Sequence, residues 1–145
     1  RDYAVTGVQT CALPICEYQL TGEEVLEAAK FDDVIARNSY PVDIHNPQGR
    51  GTQLRHLPPC EAYDIPLRCL IPVRMDGLLV GGRCISATHV ALSSARVMPS
   101  CMATGQAAGV CAAIATAAGT SPREVSYRDV QMELTRQGAE LRGVV

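Results

Sequence analysis

The sequence predicts an α/β protein, and three observations carry that reading. Gly77-Leu78-Leu79-Val80-Gly81-Gly82 is an apolar run closed by glycines, as in a buried parallel strand that runs out into a ligand loop. A stretch of small and apolar residues follows at about 99–118. Proline stands in its first turn and Gly119 just past its end, the punctuation of a helix. Thr21-Gly22-Glu23-Glu24 and Ser121-Pro122-Arg123-Glu124 are two capping boxes that mark further helix starts.

The first box opens a predicted helix over about 22–37, interrupted near Phe31. Val25, Leu26, Ala29, Val34 and Ile35 recur there at mostly helical spacing, and Ser39-Tyr40-Pro41 breaks it. Residues 40–66 hold Asn46-Pro47-Gln48-Gly49, Pro58-Pro59 and Pro66. They leave room only for short edge strands such as 42–45. Residues 65–70 and 77–82 read as strands, and 83–97 as a long loop. The helix at 99–118 carries Gly105 and Gly109, each costing about 1 kcal/mol against alanine. Two such glycines point to close approach of the helix backbone to a sheet or ligand; the plain alternative is a tightly packed core helix. The second box starts a new turn, and Ser126 caps a last helix over about 127–137, stopped by Gly138.

A chain of 145 residues, 47% hydrophobic and 19% charged, is long and apolar enough for one globular core. Its net charge of -2, without a basic cluster, argues against a nucleic-acid partner. The absence of tryptophan removes the best platform for stacked bases. Residues 97–118 are the one candidate membrane span, but Ala, Gly and Thr dominate it and Gln106 sits within it. A buried helix is expected, with no membrane partner. The seven cysteines show no CxxC spacing and no zinc-finger histidines, so no metal site is expected in this chain. Their odd number, and a start without a secretory leader's charged n-region, imply reduced thiols in the cytoplasm, most acting as small buried hydrophobes.

The chemistry concentrates in residues 77–109. A helix N-terminus carries unpaired N–H groups and partial positive charge, which suit an anion or an electron-rich ring edge. Gly81 and Gly82 let the backbone approach a ligand closely. The block reads Gly82-Arg83-Cys84-Ile85-Ser86-Ala87-Thr88-His89, then Ala95-Arg96-Val97-Met98-Pro99-Ser100-Cys101-Met102-Ala103, then Gly105-Gln106-Ala107-Ala108-Gly109. Upstream stand Tyr40-Pro41-Val42-Asp43-Ile44-His45 and Tyr63-Asp64-Ile65-Pro66-Leu67-Arg68-Cys69-Leu70-Ile71-Pro72. These motifs, over about 17–141, resemble the C-terminal flavin-binding segment of FAD-dependent oxidoreductases. The type is the glutathione-reductase-like, two-dinucleotide-fold family, which includes heterodisulfide reductase A-subunit relatives.

The resemblance implies the C-terminal part of an FAD-binding Rossmann-like domain in residues 67–145, and part of a cap (substrate) domain in 16–66. No G-x-G-x-x-G follows a strand, and Gly105 and Gly109 lie within a helix. The N-terminal βαβ unit is therefore expected to be absent from this chain and to lie upstream. By the resemblance, Gly82, Arg83, Ser86, Val97 and Met98 line the FAD, with Gly81 giving close approach. The N–H groups of Ser100, Cys101 and Met102 face the flavin's pyrimidine edge. Arg83 stands where relatives often carry an acidic residue for the ribityl hydroxyls; a guanidinium suits a phosphate oxygen better.

His89, Arg96 and His45 are the substrate-side candidates. A histidine shuttles protons near neutral pH, and an arginine holds a carboxylate bidentately. Against these stand plainer roles: a backbone-satisfied loop histidine, a salt bridge to the cap, and a surface-loop histidine. Tyr63 and Arg68 lie in the cap-like segment, and His56 is given no function. The implied activity moves a hydride or electron pair between a small organic substrate and flavin. The alternative is a truncated, non-catalytic fragment or interaction domain that binds no cofactor by itself. Some relatives carry [4Fe-4S] clusters on cysteine runs; none is visible here, so any cluster would lie upstream. Oligomeric state stays open.

Residues 5–15, VTGVQTCALPI, translate one frame of a common short-read sequencing adapter, and the adapter bases before them give Arg1-Asp2. Residues 1–15 are therefore expected to be non-native, loosely packed and without a site. On this reading the missing glycine fingerprint reflects truncation.

Overall fold

The computed structural model describes residues 15–45 and 52–141. Two short antiparallel strand pairs and four helices make up the described fold. Strand β1 (Val34–Asn38) pairs with β4 (Tyr63–Pro66), and β2 (Val42–His45) pairs with β3 (Thr52–Arg55). Helix α1 is Gly22–Leu26, α2 is His89–Ala95, α3 is Met98–Ala118 and α4 is Tyr127–Arg136.

The capping box at Thr21 forms as expected, but α1 ends after five residues. Ala28 turns to φ 53, which a continuing helix cannot accommodate. The second half of the expected helix is strand β1. Its β-branched residues Val34 and Ile35 are buried with Ala36, and β4 supplies the backbone partners. The apolar spacing there served a strand covered on both faces. Gln131 of α4 reinforces the switch: its Nε2 donates to Asp32 O at 2.8 Å and Val34 O at 3.0 Å.

The expected strand at 65–70 stops at Pro66 and becomes a 3-10 turn, Leu67–Leu70. Asp33 pulls the chain round. Its carbonyl accepts from Leu67 N–H at 2.8 Å, and its carboxylate takes the Arg68 guanidinium bidentately at 2.9 and 3.1 Å. The apolar run at 78–80 is not a strand either. Val80 N–H donates to Leu70 O at 2.9 Å, and Leu78 is 41% exposed. Among the described residues the run pairs with no strand, and without one an extended segment has no ladder to join. The expected loop at 83–97 holds α2, capped by the Thr88 hydroxyl, which accepts from Ala91 N–H at 3.4 Å.

Helix α3 runs as predicted, and Gly119 ends it at φ 67. It buries only one face, through Ser100, Thr104, Ala107, Val110, Cys111 and Ala115. By length and composition α3 is long and apolar enough to cross a membrane, with 28% of its most apolar stretch buried. The capping box at Ser121 opens a 3-10 turn, Pro122–Glu124, ahead of α4.

The core draws on the whole described chain. Leu20, Ile35 and Tyr63 pack in one cluster with Ile85, Cys111 and Val130, so residues on both sides of residue 66 share it. Cys16, Cys69 and Cys111 are buried, Cys101 is half-buried, and Cys60 and Cys84 are exposed; Cys11 lies outside the described residues. Half of the six described thiols thus act as buried hydrophobes. The adapter-like segment lies outside the described residues except for Ile15, which is exposed and accepts at its carbonyl from Val73 N–H at 3.0 Å.

Candidate functional site

The glycine turn seats itself on the first half of α3. Gly82 adopts φ 64 in a 3-10 turn, Gly82–Cys84, and its N–H donates to Thr104 Oγ1 at 3.0 Å. Thr104 Oγ1 lies 2.9 Å from Ser100 O and 3.2 Å from Cys101 O, so one hydroxyl ties the turn to the helix backbone. A Cβ on Gly81 would lie 3.3 Å from Gly105 Cα. The expectation that helix glycines mark close approach therefore holds at Gly105. At Gly109 a Cβ would meet nothing within 4 Å. Thr104 escaped the sequence reading. Its signal was a threonine four residues after Ser100, the spacing at which a hydroxyl bonds back to a helix carbonyl.

The first turn of α3 keeps donors free for an outside acceptor. Val97 is the N-cap and provides no side-chain cap. Pro99 has no N–H, and Cys101 N–H is spent on Val97 O at 3.0 Å. Of the three N–H groups expected at the flavin edge, that of Ser100 is the one without an intrahelical acceptor; Met98 contributes another. Helix dipoles place partial positive charge at this end. Met98 and Met102, one helical turn apart, are both 74% exposed and flank the donors with apolar surface. Ser100 and Ser86 are buried, each with a hydroxyl that has no partner among the described residues. Ser86 is held from behind the turn: its N–H donates to Cys69 O at 3.0 Å and its carbonyl accepts from Leu20 N–H at 3.1 Å.

Arg83, Arg96 and Cys101 meet at one carbonyl. Arg83 Nε donates to Arg96 O at 3.3 Å, and Cys101 Sγ lies 3.4 Å from the same oxygen. Arg96 is the C-cap of α2, and its Nη2 reaches Asp43 O on β2 at 3.5 Å. His89 is the first residue of α2 and is exposed. Helical rise puts it about 10 Å along the axis from Arg96. The structure brings the Arg83 guanidinium to the Arg96 carbonyl. His45 ends β2, and its side chain lies outside the described residues.

Tyr63 and Arg68 are committed to structure. Tyr63 OH lies 2.9 Å from Ser94 Oγ and accepts from Asn38 Nδ2 at 2.8 Å, which fixes α2 against β1 and β4. Arg68 sits on Asp33 and stacks 4.9 Å over the Tyr18 ring. Clefts lie elsewhere: about 490 Å³ between α3 and α4 at Ile114 and Met132, and about 390 Å³ beside β1 at Ile35 and Leu134. The glycine turn is an open surface. Among the described residues no three His, Cys, Asp or Glu side chains gather to hold a metal.

The donor set fits a flat, electron-rich cofactor with phosphates on one side: a backbone turn without side chains, orphaned helix N–H groups, two guanidiniums and flanking methionines. Residues 14–134 match the family model described as FAD dependent oxidoreductase, a span that contains every one of these groups. No curated protein and no solved structure matches the chain.

Proposed function

This chain belongs to the FAD dependent oxidoreductase family, and on that premise we propose that its glycine turn and the N-terminus of α3 form the cofactor-facing surface of the enzyme. Bound FAD supplies the hydride and electron chemistry; the protein supplies orientation and electrostatics. The observation that carries the proposal is the locked turn: Gly82 N–H on Thr104 Oγ1 and Gly81 against Gly105, directly beside the uncapped first turn of α3.

In this reading Gly81 and Gly82 present backbone to the cofactor, and Val97 sets the start of the helix. The N–H groups of Met98 and Ser100 hold negative charge at the ring edge, the preorganised electrostatics that reduction needs. Met98 and Met102 exclude water there. Ser86 and Cys101 support the turn and the helix from behind. The substrate is a small organic molecule, with Arg96 on its side. His89 stands two helical turns before Arg96 on α2 and is a second substrate-side group.

We also propose that the 145-residue chain alone holds FAD weakly. Residues 78–80 have no strand partner among the described residues, so the wall that carries the turn is held by single bonds to Leu70, Cys69 and Leu20 and by α3, and by no sheet ladder. Met98→Asp tests the site. A carboxylate at the first helical position occupies the free N–H groups and favours the helix dipole, so the fold stays intact while flavin is repelled. FAD titration should show weak binding to the wild type and a loss of about tenfold or more in Met98→Asp, with an unchanged or higher melting temperature. Equal FAD affinity in the two proteins sinks the proposal.

A further inference from the structure

We infer that Thr104 is a positioning residue for the cofactor: its buried hydroxyl pins the glycine turn to the first turn of α3, so that FAD meets the two as one surface. That role rests on the flavoenzyme reading above; the bond network does not. Thr104 is 1% exposed. Around its Oγ1 stand Gly82 N–H at 3.0 Å, Ser100 O at 2.9 Å and Cys101 O at 3.2 Å. An amide N–H only donates and a carbonyl only accepts. The hydroxyl therefore accepts from Gly82 and gives its one proton to the helix carbonyls, of which Ser100 O is the nearer. Hydrogen bonds in such a chain polarise and strengthen one another away from water.

No neighbouring group duplicates this connection. Among the described residues the bond from Gly82 is the one hydrogen bond between the turn and α3. The flanking bonds lead to other parts of the chain: Arg83 Nε to Arg96 O, and Ser86 N–H to Cys69 O. The buried hydroxyls of Ser86 and Ser100 have no partner among the described residues, so neither substitutes for Thr104. Thr116 supplies the contrast within the same helix. Its hydroxyl makes the same back-bond, to Ala112 O at 2.8 Å, but it is exposed and, among the described residues, receives no donor from outside the helix.

The turn reaches Thr104 because glycine stands at 81. A Cβ there would lie 3.3 Å from Gly105 Cα and 3.4 Å from Thr104 O. Gly82, at φ 64, then brings its N–H to the hydroxyl. The carbonyls that take the hydroxyl proton belong to the helix turn whose free N–H groups, in the reading above, meet the flavin edge. A turn that slips on α3 carries the backbone lining the cofactor away from that charge.

The test compares wild type with Thr104→Val, Thr104→Ala and Thr104→Ser, and with Thr116→Val as the control. Its first measurement needs no flavin. Amide hydrogen exchange at Gly82 should be about tenfold faster in Thr104→Val and Thr104→Ala, and near wild type in Thr104→Ser and Thr116→Val. Valine keeps the β-branched shape and alanine favours the helix, so the two variants lose the hydroxyl in different ways. FAD is then titrated and the backbone ¹H–¹⁵N shifts are followed. In wild type, residues 81–84 and 97–102 should shift together. Without the hydroxyl, affinity should fall about tenfold, with shifts kept at 97–102 and lost at 81–84; Thr104→Ser should restore both. A lower melting temperature with an unchanged shift pattern overturns the role, because it marks a part in stability alone. Unchanged Gly82 exchange in both hydroxyl-free variants overturns it too, whether or not flavin binds. Wild-type FAD shifts that spare both segments fault the flavoenzyme reading instead, and the cofactor role of Thr104 falls with it even where Gly82 exchange behaves as expected.

Discussion

Gly82 shows most plainly how one residue sets the site. Its φ of 64 costs an L-residue about 1–2 kcal/mol, although a Cβ there would only brush Cys101 Cβ at 3.8 Å. Gly82→Ala should therefore lower stability by about 1 kcal/mol in urea unfolding, through backbone strain and not through a clash. Tyr63→Phe should cost about 1 kcal/mol, the net worth of the lost hydroxyl bonds, because Asn38 Nδ2 keeps Ser94 O and Ser94 Oγ keeps Tyr40 O. The thiols separate by burial. Desolvation pushes Cys69 from an ordinary 9.0 to about 12 and Cys16 to about 11. Both pKa values are raised on folding, so the folded state holds protons that the unfolded chain releases. Stability should fall as pH climbs above about 9. Mass-mapped alkylation of the native protein at pH 8 should label Cys60 and Cys84 and spare Cys16, Cys69 and Cys111. Modification of Cys69 before unfolding contradicts this. At the residue scale the sequence signalled the glycines well, because their geometry is local. It did not signal Thr104 or the Arg83–Arg96 contact, which depend on how α2 meets α3.

Elements were legible where their signals were self-contained. The capping boxes at Thr21 and Ser121 both formed, and α3 runs between its proline and Gly119. Elements that depend on a partner were misread. Val34 and Ile35 share helical spacing with Val25, but the edge of β4 and the Gln131 side chain make them a strand. Residues 78–80 read as a strand by composition and lack a neighbour among the described residues. Two changes separate these causes. Gly109→Ala should stabilise α3 by up to about 1 kcal/mol, since a Cβ there meets nothing within 4 Å. Gln131→Leu should destabilise by about 1–3 kcal/mol, because it strips Asp32 O and Val34 O of their donor. Urea midpoints at constant slope give both numbers.

At the scale of the molecule, a single core joins residues that the sequence reading divided at residue 66, and the glycine turn sits on its surface, open to solvent on one side. The α/β class was legible because helix and strand signals both stand in the chain. The parallel sheet expected around residues 78–80 was not realised among the described residues, where both strand pairs are antiparallel. The family was legible because its motifs run through the turn and α3, and the match over residues 14–134 agrees with it. Flavin is proposed to meet this chain at the turn and the first turn of α3. Backbone ¹H–¹⁵N shifts under an FAD titration decide it: perturbations should concentrate at residues 81–84 and 97–102. Shifts that spare those residues and gather instead at the α3–α4 cleft around Ile114 and Met132 would contradict it.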